Sequence, residues 1–356
     1  MNALWSLLSF LLALGILVSF HELGHYAAAK FCGVKVLKFS VGFGKSIWSY
    51  QQSKDSTEWA LGSLPLGGYV KMDDQSFREK KLWQRSLVVA SGPLANFLLA
   101  IVFFSALYMS GVPQLPAKML EPVKESAAYQ AGIYAGDTVT GWKGQEDESF
   151  KPIISWNQLR WRLMDAVTAK ESFTLEVLDS QNKKQVIDFK REYFKELTPQ
   201  TDPLSLVGLK PDVTEPIAWF KLQLNPVQAV QTASERVWDI SVVSVRMLGG
   251  IFTGESSVKQ LGGPLSIADM AGKSAQVGWQ SYLGFLALIS ISLGILNLLP
   301  FPMLDGGQLL YDVWELLTGK RIPDSWQIVL QQIGVASLML LTVLALFNDI
   351  SRLFLR

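Results

Sequence analysis

The stretch His21-Glu22-Leu23-Gly24-His25 holds both histidines of the chain, and it follows directly on the apolar run Ala3 to Phe20. On a helix, positions i and i+4 share one face, so both imidazoles can reach one metal ion. Glu22 then stands beside the first of them, where it can act as general base on a metal-activated water. The alternative is a surface helix with incidental polar residues. Flanks of Phe, Leu, Ala and Ile argue against that, because ionisable groups on a membrane segment are costly and mark function.

Working outward, the apolar run is long enough to be most of a membrane span. It lacks a basic leader and a small-x-small cleavage site, and cleavage would discard both histidines, so it reads as retained. Four runs qualify as spans: about Leu4 to Ala29, Leu87 to Tyr108, Tyr282 to Leu299 and Ile328 to Phe347. Val237 to Phe252 is apolar but carries Asp239 and Arg246 and ends near Gly249-Gly250. It reads as an amphipathic helix on or near the membrane surface, with a fifth span as the alternative.

Composition agrees with a membrane protein. Hydrophobic residues make up 49% of the 356, and mean hydropathy is +0.23. A net charge of +1 gives no argument for a nucleic-acid partner. Cys32 is the only cysteine, which excludes an intramolecular disulfide and reads as a buried, inert thiol. Trp5, Trp48, Trp83 and Trp219 fall near expected membrane boundaries and suit interfacial anchors.

Between the first two spans, Val34 to Leu82 alternates apolar and polar residues, turns near Ser53-Lys54-Asp55, and resumes at Trp59. This reads as strands or hairpins. Lysines and arginines crowd this loop, which argues that it is cytoplasmic and that the N-terminus lies outside. The long region from about Gly111 to Gln280 is then outside as well.

A catalytic zinc wants three protein ligands and an open position. With no further histidine, the third must be a carboxylate or Cys32. Asp305 is the best candidate, in Asn297-Leu298-Leu299-Pro300-Phe301-Pro302-Met303-Leu304-Asp305-Gly306-Gly307. There an apolar helix meets two prolines, and two glycines let the backbone approach another element. With the first and third spans both running inward, the motif and Asp305 share one leaflet, provided Val237 to Phe252 does not cross.

These residues, in order, resemble the site-2 protease family of intramembrane zinc metalloproteases. The likeness covers nearly the whole chain. It includes Val41-Gly42-Phe43-Gly44, Pro65 through Met72, Gly92-Pro93-Leu94-Ala95-Asn96, Gly263 through Ala268, Asn297 through Gly307, and Ala345 through Asp349. The resemblance implies zinc held by His21, His25 and Asp305, with Glu22 as base. Asn297, with Pro300 after it, would help hold the substrate backbone. The segment Leu64 to Tyr69, with Gly67, Gly68 and Tyr69, would be a membrane-inserted hairpin that pairs with unwound substrate. The middle region resembles a circularly permuted PDZ domain, matched best by Val123 to Ala128, Ala131-Gly132-Ile133 and Ala135 to Val139. Leu206-Val207-Gly208-Leu209-Lys210-Pro211 looks like its closing strand. Relatives usually carry two tandem PDZ domains, and only one fits between Gly111 and about Asp212.

The expected fold is therefore a multi-pass α-helical membrane protein of about four transmembrane helices, with a membrane-associated β-hairpin and a periplasmic PDZ-like α+β domain. Its parts are 1–110 with the first two spans, 111–215 PDZ-like, 216–275 membrane-proximal, and 276–356 with the last two spans. The implied activity is zinc-dependent hydrolysis within single-span membrane proteins of the bacterial inner membrane. An anti-sigma factor of the envelope stress response and remnant signal peptides are the implied substrates, and the lipid bilayer is the implied surrounding. A catalytically silent metal-binding scaffold and a metal transporter are the alternatives, and neither has a use for Glu22.

Overall fold

The computed structural model describes residues 3–53, 55–145, 147–194, 207–214, 219–253 and 263–354. It divides into two compact units, 1–104 with 261–356, and 105–260.

The first unit is built on long apolar helices. Helix α1 spans Ala3–Phe31, and its 29 residues rise about 43 Å, more than the roughly 30 Å of a bilayer core. A hairpin follows, β1 (Val36–Tyr50) and β2 (Glu58–Met72). Then come a short α2 (Asp74–Arg78), capped by Asp73, and α3 (Leu82–Ser110). After the second unit the chain resumes with α7 (Pro264–Val277), α8 (Trp279–Leu298), α9 (Asp305–Thr318) and α10 (Asp324–Phe354). Among the described residues, four helices are long and apolar enough to cross a membrane: α1, α3, α8 and α10. Only 6% of the apolar window of α10 is buried in protein, so its Leu, Val and Met side chains need a non-aqueous surrounding. Trp5, Trp48, Trp83 and Trp219 are all exposed.

Ala13, Leu17, Leu99, Ala271, Phe285 and Leu286 form the core where α1, α3, α7 and α8 meet. Two polar contacts fix α8 in register: Tyr282 Oη donates to the Ser9 carbonyl at 2.6 Å, and Ser290 Oγ to the Asn96 carbonyl at 2.7 Å. Cys32 is buried with Val34, Val36 and Val88. The strands pair antiparallel, Phe39 opposite Val70 and Val41 opposite Gly68. Gly42 (φ +92°) and Gly44 (φ +84°) bend β1 in the left-handed region. The bend lets Phe39 also face Trp59 and Ser40 face Ala60, so residues 38–41 have neighbours on both sides.

The second unit holds a four-stranded sheet, order β5-β4-β6-β7, from β4 (Thr138–Gly144), β5 (Lys151–Pro152), β6 (Phe173–Leu178) and β7 (Lys184–Phe189). Phe173, Leu175 and Val177 alternate inward along β6, and α5 (Trp156–Ala169) adds Leu159 and Leu163 to the same core. A short α4 (Ala127–Ala131) is capped by Ser126 and closed by Gly132. A ribbon of β3 (Val112–Gln114) and β8 (Phe220–Leu222) leads into α6 (Pro226–Thr253).

One expectation changes here and one is narrowed. The stretch at 206–211 is not a strand in its described part. Val207 is helical, Gly208 turns with φ +75°, and among the described residues of the stretch the only strand-type pairing is an isolated bridge from Pro211 to Met119. Leu206 lies outside the described residues. Val237 to Phe252 belongs to the longer α6, which is not among the four apolar helices. Its charges pair with α5 of the same unit: Arg246 with Asp165 at 2.7 Å and Asp239 with Arg162 at 3.5 Å. Polar residues that look like flaws in a span are the ones that seat the helix.

Candidate active site

In the last turns of α1, His21 and His25 face each other, with ring centroids 4.8 Å apart and planes at 84°. Their Nε2 atoms are 3.2 Å apart. Oδ2 of Asp305 lies 3.2 Å from the first and 3.5 Å from the second. Zinc–nitrogen bonds of 2.0–2.1 Å in a tetrahedron set ligand atoms about 3.4 Å apart, so this triangle has the edge lengths of a zinc site. His25 Nδ1 is 2.8 Å from the Val88 carbonyl, which accepts a hydrogen bond from Nδ1–H in the tautomer that leaves Nε2 a bare lone pair. Asp305 Oδ2 is buried and has no hydrogen-bond partner. Acceptors converging in this way repel unless a cation lies among them. His21, His25 and Asp305 form the only metal-capable cluster among the described residues.

Asp305 arrives by way of a broken helix. Helix α8 stops at Leu298, and the chain folds through turns joining Phe301 N to Leu299 O (2.7 Å) and Leu304 N to Phe301 O (2.9 Å). The loop lies so tightly on the start of α9 that a Cβ at Gly306 would strike the carbonyls of Leu298 and Leu299, and one at Gly307 the carbonyl of Phe301. Asp305 is the first residue of α9, whose N-terminal dipole favours an anion. Its side chain turns to the imidazoles and leaves the cap position to Leu304.

Helix α3 backs the site. Gly92 lies directly against both imidazoles, and Gly24 of α1 lies against the Ser91 carbonyl. The Asn96 side-chain amide is 3.2 Å from Nδ1 of His21. Neither the Val88 carbonyl nor Asn96 was legible as an outer partner from spacing, although Asn96 ends the motif that begins at Gly92.

The hairpin supplies the other wall. Gly68 is packed so that an added Cβ would come within 3.1 Å of Glu22 Cγ and 3.0 Å of Val18. The Val70 backbone N–H reaches the Glu22 carboxylate. Glu22 and Gly68 are thus brought to the cluster. Gly67 lies on the Phe43 ring, and Tyr69 stacks on Phe43 with centroids 6.3 Å apart. Pro300 is exposed at the break after α8. Asn297 is half-buried in the preceding turn and joins none of the cluster's hydrogen bonds described above.

This arrangement has known counterparts. The sequence profile of peptidase family M50 matches residues 9–341.

The chain belongs to peptidase family M50.

Similar proteins align along its whole length. A Ralstonia nicotianae protein that bears the name of a zinc metalloprotease is 33% identical over 458 positions, covering 98% of this chain and 99% of that one. Protease RseP of Yersinia pestis is 33% identical over 452 positions, covering 99% and 100%. Regulator of sigma-E protease RseP of Escherichia coli is 30% identical over 456 positions, also covering 99% and 100%. This M50 peptidase is accordingly a zinc metalloendopeptidase of the site-2 protease family and a membrane protein. The alignments run over more than 450 positions while the M50 chain here has 356 residues. The relatives therefore carry extra positions, similar in number to one unit the size of 111–212.

Proposed function

We propose that His21, His25 and Asp305 hold the catalytic zinc, and that the enzyme cuts peptide bonds in single-span membrane proteins of the bacterial inner membrane. The observation that carries this is the triangle of two Nε2 atoms and one carboxylate oxygen at 3.2–3.5 Å, with Glu22 beside it. Zinc held there supplies Lewis acidity, which makes water nucleophilic near neutral pH and polarises the scissile carbonyl. Glu22 takes the proton from the attacking water and passes it to the leaving amine. The Val70 N–H holds its carboxylate in place, and the lack of a side chain at Gly68 lets the hairpin backbone lie close against Glu22.

A transmembrane helix hides its carbonyls in its own hydrogen bonds, so a substrate must unwind first. Backbone lost to the helix can be re-paired against β2 near Gly67, Gly68 and Tyr69, which restores those bonds in a medium without water. Asn297 and Pro300, at the α8 break, would help hold the unwound substrate backbone.

The name of the Escherichia coli relative points to regulation of sigma-E. On that reading the substrates are an anti-sigma factor already trimmed outside the membrane, and remnant signal peptides. The second unit would lie in the periplasm as a PDZ-like module that excludes untrimmed proteins by bulk. With one such unit where relatives align over a longer sequence, this chain would filter by a single domain. The active site would face the cytoplasmic side, a placement that the basic loop after α1 supports.

The test is cleavage of a tagged single-span substrate in membranes by wild type and by Glu22→Gln, with bound zinc measured in both. Loss of cleavage with zinc retained supports the assignment. Intact, zinc-loaded wild type that cuts none of a broad panel of trimmed substrates would overturn it.

A further inference from the structure

Asn96 has no part in the chemistry above, yet it is fully buried in α3. A carboxamide at such depth is expensive unless its groups are partnered. Its backbone carbonyl accepts from Ser290 of α8 at 2.7 Å, and its side chain lies 3.2 Å from His21 Nδ1 of α1. Asn96 is thus pinned among three helices, at the histidine.

We propose that Asn96 is the positioning residue of His21: its carboxamide oxygen accepts the Nδ1–H and so directs Nε2 to the metal. The inference rests on the reading of His21 as a zinc ligand. An imidazole that binds metal through Nε2 carries its proton on Nδ1 and needs an acceptor there. His25 meets that need with the Val88 carbonyl at 2.8 Å. For His21, Asn96 is the side chain recorded at Nδ1. Its Oδ1 is buried without a partner. A half-turn of the carboxamide exchanges its oxygen and nitrogen in nearly the same volume. That half-turn delivers the free oxygen to the Nδ1–H. The other orientation offers an N–H to a bare Nδ1, which suits the tautomer with the proton on Nε2. Asn96 can therefore serve His21 both before and after metal enters, whereas a purely apolar residue would serve neither state.

The chain has two histidines, so ¹⁵N-histidine labelling of the detergent-solubilised full chain gives two imidazole spin systems. Zinc should move both wild-type signals to the Nδ1–H form. Asn96→Asp, an acceptor of the same shape, should keep zinc affinity near wild type and shift one imidazole only. Asn96→Leu, of similar volume, should weaken zinc binding about 10- to 100-fold in competition with a chromophoric chelator. If the Asn96→Leu variant binds zinc within twofold of wild type, the inference is overturned. So it is if Asn96→Asp leaves both imidazole signals unmoved, a readout that holds even where the leucine variant fails to assemble. If zinc shifts neither signal in the wild type, the metal assignment itself falls, before any Asn96 variant is compared.

Discussion

The backbone of Gly92 lies in van der Waals contact with the His25 ring: a Cβ placed there would meet Cε1 at 2.5 Å and overlap Nε2. His21 Cε1 would be 2.9 Å from the same atom. Two helices meet at the paired imidazoles with no side chain between them. Gly92→Ala should displace the rings and cost about 1–3 kcal/mol of stability through overpacking. Zinc affinity should fall with it. Gly15→Ala, where nothing lies within 4 Å of the new Cβ, should lower neither. Thermal unfolding and zinc competition on the two variants check the contrast.

Glu22→Gln should lower cleavage by about 100- to 10,000-fold while zinc stays bound, the span expected when a general base is removed. Asp305→Asn keeps the shape and removes the anion, so it should lose zinc. Metal analysis separates the two. Chelation of the wild type should abolish cleavage, and added zinc should restore it.

Asp349 of α10 caps α7 from a distance in sequence. Its carboxylate accepts from the backbone N–H groups of Gly263, Leu265 and Ser266 at 3.0, 3.0 and 3.1 Å, and from Ser266 Oγ. Helix α7 has no cap side chain of its own. Asp349→Ala should therefore cost about 1–3 kcal/mol, the penalty of stranding charge-assisted, buried donors. The loss would appear as a lower unfolding temperature in detergent, with zinc affinity per folded molecule retained.

In the second unit, Thr214 and then Lys118 hold the Asp212 carboxyl down at about 2, against an ordinary 3.8. A depressed folded-state value means the contribution is whole above pH 3.8 and fades as pH falls toward 2. Asp212→Asn should lower the stability of the protein at pH 7, and the gap to wild type should close between about pH 4 and about pH 2. A denaturation series across that range measures it, and a gap that persists at the acid end would contradict the assigned cause.

The histidine pair, the four long apolar helices and the strand pair after α1 were legible because each depends on residues close in sequence. Helical periodicity puts His21 beside His25, and alternation with Gly- and Ser-rich turns marks β1 and β2. Asp305 could be proposed by counting spans, since direction through a membrane is a discrete choice. Legibility ended where local pattern competes with distant partners. The apolar and charged mixture at 237–252 left a surface helix and a fifth span both open, and its pattern gave no sign that Asp239 and Arg246 pair with α5. The stretch ending at Pro211 resembled a strand, yet Gly208 adopts a left-handed turn.

By itself, the sequence determined the metal-capable residues, the helices apolar enough to cross a membrane and the strand pair after α1, because composition and periodicity act over a few turns. Only the tertiary structure decided that Asp305 closes the triangle at 3.2–3.5 Å, that Gly92 and Gly68 let their backbones press against the imidazoles and Glu22, and that Val88 and Asn96 stand behind the two rings. These depend on how closely helices approach, which the packing of all their side chains sets together and no local pattern encodes.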